Sequence, residues 1–285
     1  MEHVLHTFWH CFVDSLKIVP FLFLTYLFME WLEHHSHERT EKIMRKADKA
    51  GPVLGALLGL VPQCGFSAAA SSLYAGHVVS AGTLMAVFLA TSDEMVPVFL
   101  SRRFGVDKIA IILVSKFVFA MIAGFIVDLF WKTKKHSFDV HCEEEGCHCH
   151  EKGIVRSSLF HTAKIFLFIF VFSFVIHLFV DIIGEERLAL LFSGVPVVSN
   201  VLAAFIALIP NCAASVIIAE LFLDGILSAG AMMSGLFVGA GTGLLVLFRV
   251  NRDRRNTLFF LLLLFVIGTI SGILFDLIGL GAALA

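Results

Sequence analysis

Long apolar stretches alternate with short polar ones along the whole chain. Several reach the roughly 20 residues that an α-helix needs to cross a bilayer. The pattern predicts eight spans, at about 3–33, 51–74, 80–100, 109–131, 159–183, 199–223, 227–248 and 258–279. Between them, 34–50, 102–108 and 249–255 are rich in Lys and Arg, and 34–50 reads as a basic amphipathic helix. Lys and Arg concentrate in cytoplasmic loops, which puts all three on that side. One sizeable hydrophilic insertion, 132–156, divides the chain, and a shorter amphipathic piece lies near 185–197. No cleavable signal is expected, because His6, His10, Asp14 and Lys17 interrupt the first apolar stretch and no short apolar region ends in a small-residue cleavage site.

Two of the predicted spans carry the same interruption. Val61-Pro62-Gln63-Cys64-Gly65-Phe66-Ser67 and Ile209-Pro210-Asn211-Cys212-Ala213-Ala214-Ser215 share an aliphatic residue, Pro, an amide, Cys, two small or apolar residues and Ser. Proline removes a helical hydrogen bond and clashes with the carbonyl one turn back. In lipid such a break survives only where protein or water covers the freed backbone. The offset of 148 between Pro62 and Pro210 also relates Ser80-Ala81-Gly82 to Ser228-Ala229-Gly230, Met85 to Met233, Gly124 to Gly272 and Asp128 to Asp276; Lys17-Ile18 matches Lys164-Ile165 after a one-residue slip. A repeat at fixed offset implies repeated structure. The expected fold is therefore an all-α polytopic membrane protein of two homologous four-to-five-helix halves, with Pro-broken helices at the core. Residues 1–131 form one repeat, 132–156 a hydrophilic loop and 157–285 the second repeat. Loop charges favour parallel repeats; re-entrant broken segments would instead invert them.

Composition agrees: 58% of residues are hydrophobic and 15% charged, with a mean hydropathy of +0.91, against about 25% charged in soluble domains. A net charge of −2 gives no reason to expect a nucleic-acid partner. Cys11, Cys64 and Cys212 lie on apolar stretches and Cys142, Cys147 and Cys149 in the loop, a distribution suited to ligation rather than stapling.

Candidate chemistry gathers at the breaks. Gln63, Cys64, Ser67, Asn211, Cys212 and Ser215 offer amide, thiol and hydroxyl groups, and a free Cys there is either a small core residue or a soft ligand. Asp93 and Glu94 stand in Thr91-Ser92-Asp93-Glu94-Met95. A carboxylate at mid-membrane depth costs at least about 2.5–3.5 kcal/mol, so it marks function unless it sits at a solvated helix end. The positions 148 further on are Gly241 and Thr242; the second half offers Glu220 instead. In the loop, His141, Cys142, Cys147, His148, Cys149 and His150 form a tract able to hold transition metals without defining one tetrahedral site. His34, His35 and His37 suit a solvated helix end, and Asp128, Asp276, Lys17 and Lys164 suit anchoring at the membrane interface. The Phe stripe at 166, 168, 170, 172 and 174 reads as packing or lipid contact, not a cofactor box. Gly239-Ala240-Gly241-Thr242-Gly243 lacks the strand and lysine of a nucleotide loop; it suits close helix packing or an unwound, ion-coordinating backbone.

These residues resemble a known family. Val61–Ser67, Thr91–Met95, Ile209–Ser215 and Val238-Gly-Ala-Gly-Thr-Gly-Leu-Leu-Val-Leu-Phe-Arg-Val-Asn251 are similar to the bacterial ten-helix heavy-metal exporters, whose members carry labels such as arsenic efflux protein or manganese transporter. The resemblance spans nearly the whole chain, and its ten helices exceed the eight spans by a margin that broken segments could supply. It implies an inner-membrane secondary transporter. An uncharged species such as arsenous acid would not need Asp93 and Glu94 in the membrane, so a divalent cation such as manganese is favoured over arsenite, with proton antiport as the drive. The expected partners are the metal or metalloid cargo and the lipid bilayer; no tightly bound cofactor is expected, and self-association as a homo-oligomer stays open. A membrane enzyme would need pairs such as His-Glu-x-x-His or Cys-x-x-Cys in a span, and none is present. A non-transporting metal sensor would depend on 141–150 rather than on Asp93.

Overall fold

The structure, a computed structural model, describes residues 50–62, 65–92, 95–131, 196–210, 212–251 and 253–284, with scattered helical residues between 8 and 27 and between 155 and 175. Among the described residues all regular structure is helical. The helices are α1 (Ala50–Gly59), α2 (Gly65–Ala75), α3 (Ala81–Ala90), α4 (Met95–Ser101), α5 (Val106–Phe130), α6 (Pro196–Ala207), α7 (Cys212–Leu223), α8 (Ala229–Val238), α9 (Thr242–Val250) and α10 (Arg254–Leu277), before a short 3₁₀ turn at Leu280–Ala283. By length and composition, α3–α4, α5, α8–α9 and α10 can cross a membrane, and the chain is an all-α, multi-pass membrane protein.

The unbroken α5 and α10 lie outside, whereas α3 and α8–α9 lie inside. The most apolar stretch of α8–α9 is 94% buried, against 39% in α5 and in α10. On α5 the exposed residues Val114, Val118, Ile122 and Ile126 recur every fourth position, and on α10 so do Leu258, Leu262, Val266, Ile270 and Leu274. Residues four apart share one helix face, so each outer helix turns an apolar stripe outward, as lipid requires. Helix α3 packs on α5, α8 on α10 and α6 on α8, while α2 packs on α9 and α4 on α7. The last two pairings join parts of the chain that the sequence assigns to different repeats.

Small residues permit the closest approach. Gly51, Gly55 and Gly59 line one face of α1 against α3, and a Cβ on Gly59 would stand 2.6 Å from the Val87 carbonyl oxygen. This is the small-residue packing of membrane helices. The described residues of the first and fifth predicted spans also meet. Phe8 lies edge-on to Phe170 at 5.2 Å and Phe12 edge-on to Phe166 at 5.9 Å. Those members of the Phe stripe are packing residues; Phe168 and Phe172 lie outside the described residues.

Asp128 and Asp276 have a more specific task than anchoring. The Ser80 hydroxyl accepts from the Thr83 N–H at 3.0 Å, capping α3, and donates to Asp128 Oδ2 at 2.8 Å. Asp128 Oδ1 accepts from the Gly82 N–H at 2.7 Å. At the start of α8, Ser228 is the cap and Asp276 accepts from Ser228 and the Gly230 N–H. A carboxylate from one helix thus satisfies the first-turn donors of another and matches its positive dipole end. Asp128→Ala should leave those donors bare. Charged hydrogen bonds contribute about 1.5–3 kcal/mol, so melting of the purified protein in detergent should fall by roughly 4–8 °C; an unchanged midpoint would reduce Asp128 to an exposed anchor.

Candidate functional site

Four interruptions divide the central helices. After α1 the chain turns at Leu60 and bends at Val61 and Pro62 before α2; after α6 it turns and bends over 208–210 before α7. The other two fall where continuous spans are predicted, between α3 and α4 and between α8 and α9. The first of these has a local cause. The Thr91 hydroxyl donates to the Val87 carbonyl at 2.7 Å and the Ser92 hydroxyl to the Ala90 carbonyl at 2.9 Å, offering the backbone partners other than the helical ladder. Pro97 then falls in the first turn of α4, where its missing N–H is tolerated, but an unbroken helix would set its ring against the carbonyl of residue 93. Pro97 was the sequence signal for this interruption. At the second, Gly241 has φ 53° and ψ −138°, a region essentially restricted to glycine.

Ser67 and Ser215, matched in the sequence, meet the same interruption. A Cβ on Gly243 would stand 2.7 Å from the Ser67 Cβ, and one on Gly239 would stand 3.0 Å from the Ser215 Oγ. One turn along α2 from Ser67, the Ser71 hydroxyl lies 2.8 Å from the Gly243 carbonyl and 2.9 Å from that of Ser67, and can donate to either. All three serines are buried. Between the two glycines sits Thr242, only 3% exposed, whose hydroxyl has no hydrogen-bond partner among the described residues. Leaving a buried hydroxyl unpaired costs roughly 1–3 kcal/mol. Thr242→Val should therefore raise the melting midpoint by roughly 2–4 °C while lowering transport activity; a lower midpoint would mean that the hydroxyl is bonded within the fold.

Lys116, which the sequence reading passed over, is the buried cation of this region. It is the eleventh of 25 residues of α5 and is 0% exposed. Its Nζ donates to the Thr91 carbonyl at 2.5 Å and to the Leu236 carbonyl at 2.6 Å, and lies 6.0 Å from the Phe237 ring centroid. A single charge within the apolar run 109–127 was the signal that could have found it.

Glu220 is paired with an arginine. It is eight residues past Cys212, about 12 Å along a helix, and accepts from Arg102 Nε at 2.9 Å and Nη2 at 2.5 Å. Asp224 accepts from the same Nη2 at 3.0 Å. Hydrogen bonding by Glu220, with the charges of Glu220 and Asp224, pushes the exposed guanidinium further above its ordinary range. The pair ties the end of α4 to the end of α7.

Of the other predicted site residues, Gln63, Cys64, Asp93, Glu94 and Asn211 lie outside the described residues. So do His141, Cys142, Cys147, His148, Cys149 and His150. Cys212 opens α7, but its side chain is likewise outside. The chain on both sides of Asp93 and Glu94 is buried, with Ser92 at 1% and Met95 at 0% exposure. Among the described residues no three His, Cys, Asp or Glu side chains gather into a metal site; what the described residues bring together is hydroxyls, carbonyls and one ammonium.

Residues 1–184 match the model of a family described as "Putative, 10TM heavy-metal exporter". No curated protein and no solved structure matches the chain.

Proposed function

This chain belongs to the ten-helix heavy-metal exporter family, and from that premise we propose that it is a secondary-active exporter of a divalent cation such as manganese in the bacterial inner membrane. The observation that carries this reading is the burial of Ser92 and Met95 on either side of Asp93-Glu94. Covered chain neighbours favour a functional pair over one at a solvated helix end. Adjacent carboxylates suit a hard divalent cation. Lys116, held at the Thr91 carbonyl, is the buried cation among the described residues of this region. Gln63, Cys64, Asn211 and Cys212 would complete the ligands from the two Pro-amide-Cys segments, with Ser67, Ser215 and Thr242 beside them. Glu220, matched by Arg102, would brace α7 rather than bind cargo. Proton antiport would supply the drive, since the sequence holds no nucleotide-binding motif, and the loop at 141–150 would collect metal.

The chain's organisation supports a site between two repeats. Helix α3 begins at residue 81 and α8 at 229, each behind a serine cap and a carboxylate from the helix it packs on, and the offset is again 148. A second reading, export of arsenite, draws on the hydroxyls of Ser67, Ser215 and Thr242, which suit a neutral hydroxylated metalloid.

The test is total cell manganese and arsenic, by elemental analysis, in an efflux-deficient bacterium with and without the chain. Lower manganese in cells carrying it supports the cation reading. Lower arsenic alone moves the cargo to the metalloid. No change in either element overturns both cargo assignments.

A further inference from the structure

The carbonyls that hold Lys116 belong to helix ends. Thr91 is the C-cap of α3, and Leu236 lies in the last turn of α8. The last four carbonyls of a helix lack intrahelical partners, and they form the negative end of its dipole. Both helices are buried: every residue of α3 is covered, as are Gly230–Val238 of α8. The two ends stand at the two glycine- or hydroxyl-marked interruptions that flank the proposed cargo site. A pair of inward carbonyls at converging helix C-termini is the chemistry that takes up a small monovalent cation. Here an ammonium on a tether from α5 meets it. At the same 148-residue offset from Lys116 stands Leu264, buried and apolar, so the second repeat does not duplicate the charge.

We infer that Lys116 is a built-in cation, seated in a monovalent-cation site formed by the C-terminal ends of α3 and α8, and that it takes the place of an exchangeable sodium, potassium or ammonium ion there. It acts as a positioning residue. It links the interruption before Asp93 to the interruption before Thr242, so that the two broken helices keep one register around the cargo. Its part in the transport cycle rests on the export reading, whereas occupancy of the seat does not.

The experiment uses the purified full-length protein in detergent. Lys116→Ala empties the seat and leaves two buried carbonyls without a donor. In choline chloride, whose cation is too large for the seat, the variant should melt at least ~6 °C below the wild type. Methylammonium or sodium chloride at equal ionic strength should restore half or more of that loss, and the wild type should melt alike in all three salts. The same midpoint for the variant in every salt, or an equal response from the wild type, overturns the assignment. This readout needs no cargo, so it can fail while the export reading stands, and the reverse. Should Lys116→Ala not fold, Lys116→Met keeps the side chain's bulk without its charge. It should fold and lose at least tenfold of metal export in reconstituted vesicles, with Lys116→Arg recovering part of it; wild-type export from Lys116→Met overturns the positioning role. Wild-type vesicles should export equally in choline and sodium media, and a tenfold loss in choline overturns the seat's internal occupancy.

Discussion

Cells carrying Asp93→Asn are expected to hold as much manganese as cells without the chain. Asparagine keeps the shape of the aspartate and removes its charge. The neighbouring Ser92 and Met95 are buried. A divalent cation would then meet one carboxylate fewer. Affinities of oxygen-ligand sites follow ligand charge count over several orders of magnitude, so export should fall by about two orders of magnitude. The protein should still reach the membrane in normal amount, because the substitution lowers the cost of burying this segment. Full export by Asp93→Asn would remove the carboxylates from the mechanism. Arsenic export retained in Asp93→Asn and lost in Cys64→Ser would transfer the chemistry to the thiols.

Gly243→Val should strongly destabilise the described core. A Cβ at that position would stand 2.7 Å from the Ser67 Cβ and 2.9 Å from the Ser67 carbonyl carbon. The second contact is backbone, which cannot rotate away. The neighbouring Ser71 bond to the Gly243 carbonyl, 2.8 Å long, would open as α2 and α9 separate. Overpacking costs typically about 1–3 kcal/mol and sometimes more, and the backbone clash places this case at the top of that range. Melting should fall by roughly 6–12 °C, with little protein recovered from the membrane. Gly243→Ala should cost less, and combining it with Ser67→Gly should recover part of the loss, because that removes the Ser67 Cβ and leaves its backbone. If Gly243→Val melts like the wild type, α2 and α9 do not meet as described.

The membrane-crossing character of the lipid-facing helices was legible because its cause is local: 109–127 and 258–274 are almost wholly apolar, which lipid selects wherever the helix stands. Which face turns outward was not legible, since apolar residues fill nearly every position. The α3–α4 interruption was legible too, though the sequence reading ran a continuous span through it: Pro97 and the hydroxyls of Thr91 and Ser92 act within one turn. Lys116 could be found as a charge out of place, but its partners could not. The roles of Asp128 and Asp276 were half legible. Their equal spacing tied them to a common task, whereas the serine caps that they complete stand 48 residues earlier in each case.

By itself the sequence determined that this protein lives in a membrane, and it pointed to breaks at Pro62 and Pro210 with amide, thiol and hydroxyl residues beside them. These are consequences of hydropathy, of proline and glycine geometry and of ligand chemistry, all carried by residues close in the chain. Only the tertiary structure decided that Ser67 meets Gly243, that Ser215 meets Gly239, that Arg102 pairs with Glu220, and that one lysine closes two helix ends at once. Those pairings span 24 to 176 positions of chain. They are set by which helix faces fit closely enough to exclude lipid, and no local pattern records that.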